Sequence, residues 1–193
     1  FTRAQIARFA EMADRIEEVL GYRPLRHVAN SAATSRFPEA HFDMVRIGIG
    51  LHGIGCTAAE TARLLPVATL RTVVAQVKEV PAGDGIGYGR NGISDHARRI
   101  ATLPIGYADG FLRRLGNGAG RVRINGKEAR TVGNICMDMC MVDVTDIPCS
   151  PGDEVIVFGD SPSLADYAAD LDTIPYEALT SIAQRVKRVY VRG

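Results

Sequence analysis

Residues 121–132 read Arg121-Val122-Arg123-Ile124-Asn125-Gly126-Lys127-Glu128-Ala129-Arg130-Thr131-Val132. Two β-prone runs, residues 121–124 and 128–132, flank Asn125-Gly126. Asn-Gly reaches the positive φ angles of a type I′ turn at low cost, so the stretch predicts an antiparallel hairpin. The neighbouring sequence extends that pattern. Residues 139–144 and 154–158 read as further strands, divided by the turn residues Pro151-Gly152-Asp153. Upstream, residues 67–80 set Val73, Ala75 and Val77 opposite Gln76 and Lys78, the alternation of a half-buried strand, before the turn Pro81-Ala82-Gly83-Asp84. Short helices are expected at 111–115, 163–169 and 175–184, the last with Thr173 near its start, and a closing strand at 186–191. The body of the chain is therefore expected to be a mainly antiparallel β domain.

The first 55 residues have another character. Ile6, Phe9, Met12, Ala13, Ile16, Val19 and Leu20 recur at helical spacing, with Thr2 as the expected cap and Gly21 placed for a left-handed C-terminal cap. Short strands at 25–29 and 43–47, with a helical turn near 38–42 between them, suggest a small parallel α/β layer. The change of character falls near Pro66.

Composition excludes several function classes. The 193 residues carry a formal net charge of +1, so no basic excess exists to neutralise a nucleic acid. No apolar run approaches the roughly 18 residues needed to span a bilayer. The four cysteines, 56, 136, 140 and 149, are too few and too irregular for a disulfide framework, which suggests a soluble protein of a reducing, cytoplasmic compartment. Of the 23 basic residues, only Lys78, Lys127 and Lys187 are lysines. His27, His41, His52 and His96 lack metal-ligand spacing, and Cys136 and Cys140, expected on one strand, have no second pair to complete a zinc site. No metal is expected.

Gly48-Ile49-Gly50-Leu51-His52-Gly53 satisfies G-x-G-x-x-G, but a dinucleotide fold also needs a following helix and an acidic residue about twenty positions on. No acidic residue lies between Arg63 and Lys78. What remains is a glycine-rich turn whose backbone N–H groups can hold a phosphate. Two tyrosines are flanked by glycine, Tyr88 in Gly87-Tyr88-Gly89 and Tyr107 in Gly106-Tyr107-Ala108-Asp109-Gly110. Glycine on both sides lets a ligand or neighbouring backbone approach, and a tyrosine so held can donate or accept a proton.

Taken in order, His27-Val28-Ala29-Asn30-Ser31, Val45-Arg46-Ile47-Gly48-Ile49, Gly87-Tyr88-Gly89, Pro104-Ile105-Gly106-Tyr107-Ala108-Asp109-Gly110, Gly133-Asn134-Ile135-Cys136-Met137-Asp138 and Pro175-Tyr176-Glu177 resemble the motifs of the pyridoxal-phosphate-dependent alanine racemases. The resemblance implies that residues 1–58 are the end of a cofactor-binding (β/α)8 barrel and residues 59–193 a C-terminal antiparallel β domain. It implies Ser31, Gly48, Ile49 and Tyr176 at the cofactor phosphate and Arg46 at its pyridine nitrogen. An arginine there, permanently charged and donor-only, disfavours ring protonation and weakens the electron sink.

Tyr88 matches the family's catalytic tyrosine, the base on the L face of alanine in a two-base proton transfer that supplies D-alanine for peptidoglycan. Tyr107 matches a substrate-entry tyrosine, and Met137 a backbone N–H that holds the substrate carboxylate. Both tyrosines act across a homodimer in the family. The chain departs from the pattern at His52, where the family usually has tyrosine, and its three lysines match no cofactor-bearing lysine motif. The expectation is therefore the C-terminal part of a racemase, inactive alone, with the apolar stripe of the first helix packed against the β domain or a second chain. A non-catalytic binding or dimerisation module, or a racemase acting on serine or lysine, are the alternative readings.

Overall fold

The computed structural model describes residues 1–191, and Arg192 and Gly193 lie outside the described residues. The chain divides into two compact units at Val67/Ala68.

The first unit begins with α1 (Thr2–Leu20). Phe1 is its N-cap without a side-chain cap bond, so Thr2 is the first helical residue and not the cap. Gly21 closes α1 as expected, at φ 69° with its N–H on the Glu17 carbonyl. α2 (Ser31–Arg36) and α3 (Ala58–Thr61) are capped by the Asn30 and Thr57 side chains. The two expected strands reduce to a single parallel bridge between Asn30 and Arg46. One bridge gives too few backbone bonds for a ladder, and side chains hold the segment instead: Arg26 pairs with Asp14 at 2.7 Å and Glu17 at 2.6 Å. Ala13 is buried and Phe9 meets Phe42 edge-on, but Met12, Ile16, Val19 and Leu20 of the helical stripe are exposed.

The second unit is a seven-stranded antiparallel curled sheet: β1 (Leu70–Val73), β2 (Gln76–Val80), β3 (Arg98–Leu103), β4 (Arg121–Ile124), β5 (Lys127–Val132), β6 (Cys140–Asp143) and β7 (Glu154–Phe158). Their order is β1-β7-β4-β5-β6-β3-β2. The β4–β5 hairpin has the expected register, Arg121 opposite Arg130 and Ile124 opposite Lys127, with Asn125 at φ 48° and Gly126 at φ 81°. The single strand expected over 67–80 is instead two strands at opposite edges of the sheet. The chain changes partner within one residue: Val74 exchanges backbone bonds with Asp153 and Gly152, whereas Ala75 donates to Thr102. This corner buries Val74 and turns Val73 outward, reversing the expected alternation.

Alternate residues of the strands fill the interior. Val122, Ile124, Ala101, Leu103, Val142, Val155 and Val157 are all fully buried. α4 (Leu164–Asp170), opened by a capping box between Ser163 and Asp166, presents Tyr167 to this core. The Tyr167 ring lies 5.2 Å from Phe158 and 6.3 Å from Phe111, and its hydroxyl donates to the Gly110 carbonyl at 3.0 Å. Burial pushes its pKa far up, so it remains a neutral donor.

Three further expectations change. α5 spans Pro175–Thr180, shorter than 175–184. Residues 186–191 form no strand; Val189, Tyr190 and Val191 are exposed, and Arg188 binds the carbonyls of Ile182, Ala183 and Val186 in place of a neighbouring strand. Cys136 lies in a turn closed by its N–H on the Met139 carbonyl, so it does not share a strand face with Cys140.

Replacing Tyr167 with phenylalanine leaves the Gly110 carbonyl without this partner while preserving the ring packing. It should cost about 1–2 kcal/mol of stability in urea denaturation. An unchanged midpoint would show that this bond does not anchor α4 to the sheet.

Candidate active site

Four candidate residues fall within the first unit. Ser31 opens α2 and its Oγ accepts the Gly48 N–H at 2.8 Å. Gly48 leads into a 3-10 turn, Ile49–His52, not the long helix a dinucleotide site requires. Among the described residues, the Ile49 and Gly50 N–H groups donate to no backbone acceptor, as expected where a helix starts. Ser31 already accepts, so its hydroxyl proton is left to donate. One hydroxyl and two free amides thus come together at one turn, suited to the oxygens of a phosphate. Arg46, two residues before Gly48, is exposed and bonds the Val28 carbonyl at 3.2 Å.

The second unit brings Tyr88, Tyr107 and Met137 together around one open cavity of about 610 Å³, lined also by Arg113, Asp138 and Met139. Each arrives on a different loop, and residues 133–138 tie the loops together. Tyr88 begins a short 3-10 turn between Gly87 at φ 71° and Gly89 at φ 75°. Ile86 anchors that loop in a cluster with Ile100, Val132 and Met141. Asn134 then holds the Tyr88 carbonyl through Nδ2 at 2.9 Å, and Asn117 Nδ2 holds Asn134 Oδ1 at 3.2 Å.

Tyr107 is held by backbone. Its N–H donates to the Cys136 carbonyl and the Ala108 N–H to the Met137 carbonyl, both at 3.0 Å. Such close approach requires glycine at 106, where a Cβ would fall 2.4 Å from both carbonyl oxygens. The Met137 N–H itself donates no hydrogen bond among the described residues. An unpaired amide beside a cavity is a ready donor for a carboxylate. Tyr88 is 75% exposed and Tyr107 36%, so both hydroxyl-bearing rings stand at the surface of the unit.

Tyr176 lies on α5 and does not line this cavity. Sequence reasoning assigned no role to Asn134, Asp109, Asp138 or Arg185. The first three stand inside the quoted motifs. Arg185 carries no local signal, because the carboxylates it binds lie 76 and 47 residues away in the chain.

Substituting alanine at Gly106 forces the loops carrying Tyr107 and Met137 apart. Overpacking of this kind should cost about 1–3 kcal/mol in chemical denaturation. Full retention of stability would mean that the loop contact is not tight.

Comparison with known proteins places this geometry in a family. The model of the alanine racemase C-terminal domain matches residues 67–190, and that of the alanine racemase N-terminal domain matches residues 1–56. Alanine racemase 1 of Clostridium acetobutylicum is 38% identical over 201 residues, covering 100% of this chain and 52% of that protein. The alanine racemase of Carboxydothermus hydrogenoformans is 44% identical over 199 residues, covering 99% and 54%. Among solved structures, alanine racemase from D-cycloserine-producing Streptomyces lavendulae superposes with a TM-score of 0.90 at 39% identity, over 100% of this chain and 52% of that one. The chain thus spans about half the length of the relatives it matches. On the sheet, the loops that converge on the cavity and these matches, the chain belongs to the alanine racemase family.

Proposed function

We propose that the protein to which this chain belongs interconverts L- and D-alanine with pyridoxal phosphate. Residues 1–58 would form the end of the cofactor-binding barrel and residues 59–193 the β domain carrying the catalytic tyrosine. One observation carries the reading: an unpaired Met137 N–H beside the same cavity as two exposed tyrosines, on loops locked to one another. A donor for the carboxylate next to a proton-transfer group is what the β domain must add to the cofactor's electron sink to move the α-proton of an amino acid.

The residues of the first unit fit the cofactor. Ser31 and the free amides at Ile49 and Gly50 suit its phosphate, and the Arg46 guanidinium suits the pyridine nitrogen. Tyr176 is proposed as a further phosphate contact. When bound, pyridoxal phosphate supplies the electron sink for the α-carbon. Arg46, always protonated, would donate to the ring nitrogen without handing over a proton, which would limit the sink and favour return of the α-proton.

The roles of the β domain follow. The Met137 N–H orients the carboxylate and so fixes which face of Cα meets Tyr88. The Tyr88 oxygen takes the proton from the L face as phenolate and returns it as phenol. Tyr107 narrows the entry. Tyrosines so exposed in a single chain suit action across a head-to-tail homodimer, in which one chain's tyrosines complete its partner's barrel. Lys78, Lys127 and Lys187 match no cofactor-bearing lysine motif, so this chain would supply the tyrosine side of the reaction and not the lysine side. No helix among the described residues is long and apolar enough to cross a membrane. The proposed setting is the cytoplasm, with D-alanine destined for peptidoglycan.

Two measurements test the proposal. In the full-length protein, Tyr88→Phe should slow L-to-D racemisation by about 100-fold or more while cofactor absorbance persists. Equal rates in wild type and variant would remove Tyr88 from the mechanism. The 193-residue chain mixed with pyridoxal phosphate should neither racemise alanine nor form a lysine–cofactor bond trappable by borohydride. Turnover together with such a bond would refute the division of labour.

A further inference from the structure

The Arg185 guanidinium reaches two loops at once. Its Nε donates to Asp109 Oδ1 at 2.7 Å and its Nη2 to Asp138 Oδ1 at 2.6 Å. Asp109 belongs to the loop of Tyr107 and Asp138 follows Met137, so the two loops that meet through backbone bonds are bridged a second time by one side chain. Asp109 is itself committed to its loop, since its Oδ2 accepts the Gly106 N–H at 2.9 Å. That bond fixes the residue whose missing Cβ permits the loop contact.

Arg185 is placed for this task by the segment after α5. The Ala183 N–H donates to the Asp109 carbonyl at 3.1 Å, and a Cβ on Gly110 would fall 2.7 Å from the Ser181 carbonyl oxygen. The segment therefore lies directly against the Tyr107 loop. Arg188 folds back onto the carbonyls of Ile182, Ala183 and Val186 and keeps the turn closed. Two carboxylates on separate loops need two divergent donors in one rigid plane. Arginine has them, and lysine, a single point charge, does not.

We propose that Arg185 is a positioning residue for the substrate carboxylate: by clamping Asp109 to Asp138 it holds the Met137 N–H in register with Tyr107. Half of the Arg185 side chain is exposed, so its pairs are screened and contribute little to global stability. The effect should instead be local. The inference rests on the racemase reading for its kinetic part only; the clamp itself is a structural claim.

The test uses full-length enzyme carrying Arg185→Gln, Asp138→Asn, or both. Amide hydrogen exchange at Tyr107 and Ala108 should accelerate by about three- to tenfold in Arg185→Gln, with strands β4 and β5 unchanged. KM for alanine should rise by a similar factor of about three to ten, with a smaller change in kcat, because the Met137 N–H holds the carboxylate in the bound and the reacting states alike. The double variant should be no worse than the poorer single one, since both remove the same bridge. Unchanged exchange at Tyr107 and Ala108, or equal acceleration throughout the β domain, would overturn the clamp. Accelerated loop exchange with unaltered KM would overturn its role toward substrate. If the wild-type protein racemises nothing, the functional reading fails and the exchange measurement still decides the clamp.

Discussion

The Tyr107 and Ala108 N–H groups donate to the carbonyls of Cys136 and Met137, and the β domain is arranged so that they can. In the sheet, β6 lies between β5 and β3, with Leu103 at the end of β3 opposite Cys140 at the start of β6. The loops leaving β3 and β5 therefore emerge at the same end. Two backbone strands can then meet edge to edge, provided the residue between them has no side chain, which is the condition Gly106 meets. Tyr88 joins them by another route. Its loop begins at the far end of β3, where Val80 faces Arg98, and returns because Ile86 is drawn into the apolar cluster of Ile100, Val132 and Met141. Burial of one isoleucine thus brings the tyrosine back to the loop that Asn134 belongs to.

This arrangement explains why the three loops need little regular structure of their own. Backbone bonds, one amide and one guanidinium fix them to each other, and the curled sheet fixes their roots. The sheet in turn is held by fully buried valines, isoleucines and leucines and by Tyr167, whose hydroxyl meets the carbonyl that ends the Tyr107 loop. Site and core are therefore joined at Gly110. Rigidity at such a site would serve the proposed chemistry, because an amide and a proton-transfer group displaced by about 1 Å lose much of their combined effect.

Local chemistry made the β4–β5 hairpin and the α1 C-cap readable in the sequence. Asn125-Gly126 and Gly21 each act within a few residues of themselves. The corner at Val74–Ala75 was not readable. An alternating run looks the same whether it continues along one neighbour or passes from Asp153 to Thr102. The expected strand at 186–191 failed for a related reason: β-branched residues favour a strand only where a neighbour offers an edge. Of the candidate site, Tyr88 and Tyr107 were visible through their glycines, and the family motifs supplied Met137. Arg185 was invisible, since its role depends wholly on carboxylates distant in the chain.

In the proposed site one loop, residues 133–138, presents a donor for a carboxylate beside the cavity that Tyr88 also lines. A crystal structure of the full-length protein with pyridoxal phosphate and a non-reacting alanine analogue tests it most directly. The analogue's acid group is expected on the Met137 N–H, with the Tyr88 hydroxyl of one subunit facing Cα. An acid group bound elsewhere, with the Met137 N–H left free and Tyr88 turned away from Cα, would contradict it.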